Sequence, residues 1–152
     1  MIPAIKQLGP GDEAILELLA KEDADFDLEG RGGPLQPLDS VAAQKFLSNP
    51  NVLFWVTPEA DTILGFLYCL LVPLRSGAGS ELLLYEIGVR SACRKQGVGR
   101  ALLTHMEDWM RKNEVGEVWV LADNAVAVEF YRGCGFKVED EQPVYMTRAV
   151  RT

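Results

Sequence analysis

The stretch Glu81–Val89 limits the possible folds more than any other part of the sequence. It is apolar on both faces, Tyr85 and Glu86 excepted, and a strand of that kind sits at the centre of a sheet with a covering layer on each side. A glycine-containing turn follows, Arg94-Lys95-Gln96-Gly97-Val98-Gly99-Arg100. From it grows a helical pattern, Val98 to Asn113, with Ala101, Leu102, His105, Met106, Trp109 and Met110 on one face. Glu86 stands out, because a carboxylate in an apolar central strand is costly without a purpose. Pairing with an arginine inside the sheet is the alternative to a chemical role.

The other elements read outward from this centre. Pro3 to Leu8 predicts a short strand, broken by Gly9-Pro10-Gly11-Asp12. Asp12 is placed to cap a helix carrying Ile15, Leu16, Leu18 and Leu19 inward. Residues 23 to 37 read as a loop, and Asp39 or Ser40 begins a second helix that ends before Pro50. Val52–Thr57 and Ile63–Val72 form a hairpin across residues 58–61. Val118–Leu121 is a short buried strand, Ala125–Arg132 a short helix, and Phe136–Val138 and Val144–Ala149 close the chain as strands. The fold class is therefore α+β with a mixed sheet. At 152 residues, 48% of them apolar and 24% charged, one globular domain over residues 1–152 is expected.

The net charge of −7 is unevenly placed. Residues 12–29 contain Asp12, Glu13, Glu17, Glu22, Asp23, Asp25, Asp27 and Glu29 against Lys21 alone. Residues 90–100 contain Arg90, Arg94, Lys95 and Arg100 and no acid. An acidic chain lacks the cation surplus that sequence-independent nucleic-acid binding needs. The start has no basic region followed by an apolar run, and the run Ile63–Leu74 is too short to span a membrane, so a cytoplasmic protein with no membrane partner is expected. Cys69, Cys93 and Cys134 are scattered, which argues against a disulfide framework and against a metal site.

The glycine turn has the chemistry of an anion site. Its glycines let backbone amides approach a ligand, the helix start adds a positive dipole end, and the flanking cations add charge. A pyrophosphate fits, yet the turn is neither a Walker loop nor a dinucleotide fingerprint. A strand ending Glu86-Ile87-Gly88-Val89, followed by Arg94-x-x-Gly97-x-Gly99, resembles the acetyl-CoA signature of the GNAT N-acetyltransferases. The run from Asn124 through Tyr131 to Gly135-Phe136 resembles the second motif of that family. The element order is similar too, so the resemblance covers nearly the whole chain. It implies a three-layer α/β/α fold with a twisted mixed sheet of about six to seven strands and about four helices.

The resemblance also implies a reaction: direct transfer of an acetyl group from acetyl-CoA to a primary amine in a ternary complex. By resemblance, the strand edge at Ile87 and Val89 lies along the cofactor arm and donates to the thioester oxygen. Arg94, Lys95, Gln96, Gly97, Val98, Gly99 and Arg100 hold the pyrophosphate. Asn124 either bonds the pantetheine arm or caps its helix. Glu86 faces the amine, holding the ammonium and accepting its proton, directly or through water. Tyr131 is the general acid toward the leaving thiol. With the phenol near 10 and the thiol near 8.5, full proton transfer is uphill by about 2 kcal/mol, so a hydrogen bond to the thiolate is what it supplies.

Leu8-Gly9-Pro10, Val72-Pro73-Leu74 and Leu84-Tyr85-Glu86-Ile87-Gly88-Val89 resemble, more narrowly, the aminoglycoside 3-N-acetyltransferases. Those have Asp at the position of Glu86 and a longer acidic loop than Ala122-Asp123-Asn124. This resemblance points to a polycationic amino sugar as acceptor, drawn by Asp25, Asp27 and Asp123 together with Glu86. Other amines (a polyamine, a protein N-terminus or a lysine) are the enzymatic alternative, and a non-catalytic acyl-CoA-binding module is the alternative of another class. Dimers are common in the family. His105, Trp55, Trp109 and Trp119 read as packing residues, and the acids at 107, 108, 114 and 117 as a solvated face.

Overall fold

The computed structural model describes residues 3–26, 35–77 and 79–151. The chain comprises two compact units, Met1–Leu121 and Ala122–Thr152.

The first unit is a five-stranded sheet in the order β1-β2-β3-β4-β5, formed by Lys6–Gln7, Val52–Glu59, Thr62–Pro73, Ser80–Val89 and Val118–Val120. Neighbours pair antiparallel from β1 to β4, and β4 pairs parallel with β5. The sheet is mixed, as the strand pattern predicts. Helices α1 (Glu13–Lys21) and α2 (Ser40–Ser48) cover one face, and α3 (Val98–Lys112) covers the other.

Strand alternation divides the core accordingly. Phe54, Val56 and Phe66 turn toward Leu8, Leu19, Phe26 and Leu47 on the α1/α2 side. Trp55 turns the other way and meets His105 and Trp109 of α3 edge-on, at 5.8 and 6.1 Å between ring centroids. Cys69 lies against Met106 at 3.8 Å, fully buried, and burial pushes its thiol up to about 12. A Cβ on Gly65 would come within 2.8 Å of Val98, so the missing side chain lets the start of α3 settle close on β3. His105 is a packing residue, as its place in the apolar stripe predicts.

The second unit contains α4, Ala125–Gly133. Its end is a Schellman motif: Phe136 N–H donates to Tyr131 O, Gly135 N–H donates to Arg132 O, and Gly135 takes the left-handed φ of 96° that such an end requires. The Phe136 ring packs on the Tyr131 ring at 5.3 Å, which completes the motif.

The expected strands Phe136–Val138 and Val144–Ala149 do not form; both stretches are irregular. Val144 and Met146 are 81% and 83% exposed. An alternating pattern gives a segment the capacity to be a strand, but a ladder also needs a partner edge. The described residues thus hold five paired strands rather than six to seven, and four α-helices. None of those helices is long and apolar enough to cross a membrane.

Candidate active site

The glycine turn lies where β4 gives way to α3. A short 3-10 turn, Ser91–Cys93, leads out of the strand, and Lys95 and Gly97 take left-handed φ values of 63° and 86°. Gly97 is the N-cap residue of α3, and no side chain caps that helix. The first helical hydrogen bond runs from Ala101 N–H to Gly97 O. The amides of Val98, Gly99 and Arg100 precede it, at the positive end of a 15-residue dipole. A Cβ on Gly97 would meet nothing within 4 Å, so the approach to this turn is open.

Arg90 and Arg94 are engaged by groups of the protein itself. Arg90 donates from Nη2 to Glu22 at 2.8 Å, from Nη1 to Asp25 at 2.9 Å and from Nε to Ile63 O at 3.0 Å. Its guanidinium also lies 4.8 Å from the centre of the Phe26 ring. Arg94 donates to Phe26 O and Val89 O, and Ser91 donates to Asp25 O. The two opposed charge fields of the sequence therefore meet in a single clamp. Arg94 braces the turn through backbone carbonyls, while Lys95, Gln96 and Gly97 stand exposed. Asp25, expected at the acceptor, is held by Arg90. Asp27, expected there too, lies outside the described residues.

β4 is bulged and open at its C-terminal end. Tyr68 pairs with Glu86, but the next residue, Cys69, pairs with Leu84, leaving Tyr85 as the extra residue. Tyr85 and Glu86 are consequently both exposed instead of alternating. Glu86 thus sits at a bulge rather than in a sealed strand, which removes the burial cost that the sequence pattern suggested. β5 pairs only with Leu82, Leu83 and Leu84, so from Ile87 to Val89 strand pairing is on the β3 side alone. Arg90 N–H donates across to Leu64 O. Alternation along an antiparallel ladder then points Gly88 at β3 and turns the peptide groups of Ile87 and Val89 to the open edge. The Val89 carbonyl, bonded by Arg94, faces that way.

In the second unit, Asn124 is the N-cap of α4: its side-chain oxygen accepts from Ala127 N–H at 2.8 Å, and its amide donates to Asp123 at 3.1 Å. The capping geometry, one of the two readings open in the sequence, is present. Asp123 is exposed, and Tyr131 is 93% buried between Phe130 and Phe136.

Sequence reasoning missed Tyr68 and Tyr85. Their rings lie 5.3 Å apart beside Glu86. Burial first, then Tyr85 and then Glu86, hold the Tyr68 phenol above its usual value, so it stays neutral. The available signal was Tyr85-Glu86 itself, since two consecutive residues breaking an apolar strand mark a bulge.

The model of the acetyltransferase (GNAT) family matches residues 15–136. A mycothiol acetyltransferase of Segniliparus rotundus is 31% identical over 144 residues, covering 91% of this chain and 52% of that protein. An Escherichia coli enzyme acting on the alanine of ribosomal protein bS18 is 41% identical over 58 residues, 37% of this chain and 39% of its own length. The chain thus spans about half the length, or less, of these curated relatives. The crystal structure of an aminoglycoside acetyltransferase from an uncultured soil metagenomic sample, in complex with sisomicin, shares the fold with a TM-score of 0.82 at 24% identity, covering 99% of this chain and 97% of that one. With the family pattern matched over most of its length, the chain belongs to the GNAT acetyltransferase family.

Proposed function

We propose that this protein is an acetyl-CoA-dependent N-acetyltransferase whose acceptor is a primary amine of an aminoglycoside, with the 3-amino group as the favoured nitrogen. One observation carries the reading: an uncapped helix start and an open strand edge stand side by side at the end of β4, with a carboxylate on the bulge just before them. The residues fit acetyl-CoA, which when bound supplies an acetyl group activated as a thioester. The amides opening α3 and the Lys95–Gly97 turn hold the phosphates. The outward N–H groups of Ile87 and Val89 donate to a carbonyl oxygen, the kind of fixed electrostatic support that contributes most to acyl transfer. Glu86 binds the incoming ammonium and takes its proton, leaving the amine lone pair for attack. The Tyr131 hydroxyl serves the departing sulfur as a hydrogen-bond donor.

The fold shared with the sisomicin-bound aminoglycoside acetyltransferase supports this acceptor. The matches to mycothiol and ribosomal-protein acetyltransferases favour a second reading, a different primary amine on the same chemistry. Purified protein with acetyl-CoA should release CoA on gentamicin or sisomicin, with the acetylated nitrogen located by NMR. Absence of release on both, alongside release on another amine, overturns the aminoglycoside assignment and leaves the transferase chemistry standing. Glu86→Gln should lower kcat by about a hundredfold without changing acetyl-CoA affinity. An unaltered kcat removes Glu86 from catalysis.

A further inference from the structure

The chemistry around the bulge says more about the acceptor than the presence of an acid does. Register sets Tyr68 directly opposite Glu86, and the extra residue Tyr85 precedes it. Tyr68 is immobilised from behind, with Phe46 edge-on at 5.2 Å and Phe54 stacked at 5.7 Å. Tyr85 is 61% exposed and its ring is tilted 56° to that of Tyr68. The result is a carboxylate beside two aromatic rings, one fixed and one exposed. Aromatic faces attract cations through the ring quadrupole, and their flat apolar surface packs on C–H faces of comparable width.

We propose that Tyr68 and Tyr85 are specificity-determining residues, selecting an ammonium borne on a saturated six-membered ring over one on a flexible chain. The inference deepens the amine-transferase reading and rests on Glu86 facing the acceptor. A ring-borne ammonium sets its charge on Glu86 while its C–H face covers Tyr85. A linear polyamine offers the charge without the face, and also loses more conformational freedom when it is held.

The test is calorimetric titration of the CoA-loaded protein with sisomicin and with spermidine, for wild type, Tyr85→Ala and Tyr85→Phe. Sisomicin should bind wild type more tightly than spermidine. Tyr85→Ala should weaken sisomicin by about five- to tenfold and spermidine by less than about twofold. Tyr85→Phe, which keeps the ring face, should restore sisomicin binding. Equal losses for both ligands, no loss for either, tighter spermidine binding, or no sisomicin binding at all overturns the proposal. The parallel CoA-release assay separates the two claims. Tyr85-dependent binding of sisomicin without acetylation removes it as a substrate but keeps the selective face. Acetylation with a KM indifferent to Tyr85→Ala removes the face and keeps the function.

Discussion

Among the described residues, the α-helix starts are built in three ways. At α2 and α4, Asp39 and Asn124 each turn a side-chain oxygen onto the amide three residues on, both at 2.8 Å. At α1, Asp12 occupies the N-cap position but turns back instead, accepting from Lys6 at 2.8 Å and from Gly9 N–H at 2.9 Å. At α3 the N-cap is Gly97, which has nothing to offer. A closed start satisfies its own donors and α1 carries the acids Asp12 and Glu13, whereas α3, with neither a side-chain cap nor an acid in its first turn, leaves its dipole to an outside anion. The difference teaches where a ligand belongs in a chain that has several helices to choose from.

The contrast is most easily broken at Gly97. Gly97→Asp brings a carboxylate to the start of α3 at a site with room for it. CoA affinity should fall by about a hundredfold, close to 2.7 kcal/mol, and a titration against wild type reads it. The left-handed backbone adds a stability cost of only about 1 kcal/mol. Unchanged affinity would mean that this helix start is not the phosphate site. The closed starts should behave in the opposite way. Asn124→Ala and Asp39→Ala should each cost about 1 kcal/mol in denaturant unfolding and leave CoA affinity alone. Should Asn124→Ala weaken CoA binding too, a cap and a cofactor contact coincide there and the division fails.

The smallest effect is expected at Asp12. The hydrogen bond from Lys6, and then that from Gly9, hold its carboxyl below the ordinary 3.8. A lowered folded pKa contributes stability above the unfolded value, and that stability is lost as pH falls through the folded one. Asp12→Asn should therefore lower Tm slightly at pH 7, by the equivalent of about 0.5 kcal/mol. The gap should close on acidification below about pH 4.

What the sequence made legible was periodic. The stripe Leu102-Met106-Trp109 set α3, and the apolar run of β4 marked an interior strand, though the middle of the sheet is β3. The Tyr131 to Phe136 run was legible as a family signature, while its Schellman end at Gly135 was not. Pairing across distance was not legible. Glu22 and Arg90 lie 68 residues apart, and no local window shows that an acidic stretch and a basic stretch will neutralise each other. The pairing of Asp25 with Arg90, and the bonds from Arg94 to Phe26 O and Val89 O, show only when the two stretches are seen together. The bulge at Tyr85 was overlooked because the strand was read as one continuous alternation, although the consecutive pair Tyr85-Glu86 marks the break.

Cys69 makes the centre of the sheet accessible to experiment. It is fully buried on β3, and its thiol stays protonated far above neutral pH. An alkylating reagent that needs a thiolate can therefore reach it only when the sheet opens. Cys93 and Cys134 are partly exposed and mark the background. The lag between their modification and that of Cys69, followed by mass spectrometry, reports how often the native core breathes. Added CoA should lengthen that lag if its binding holds the end of β4 in place.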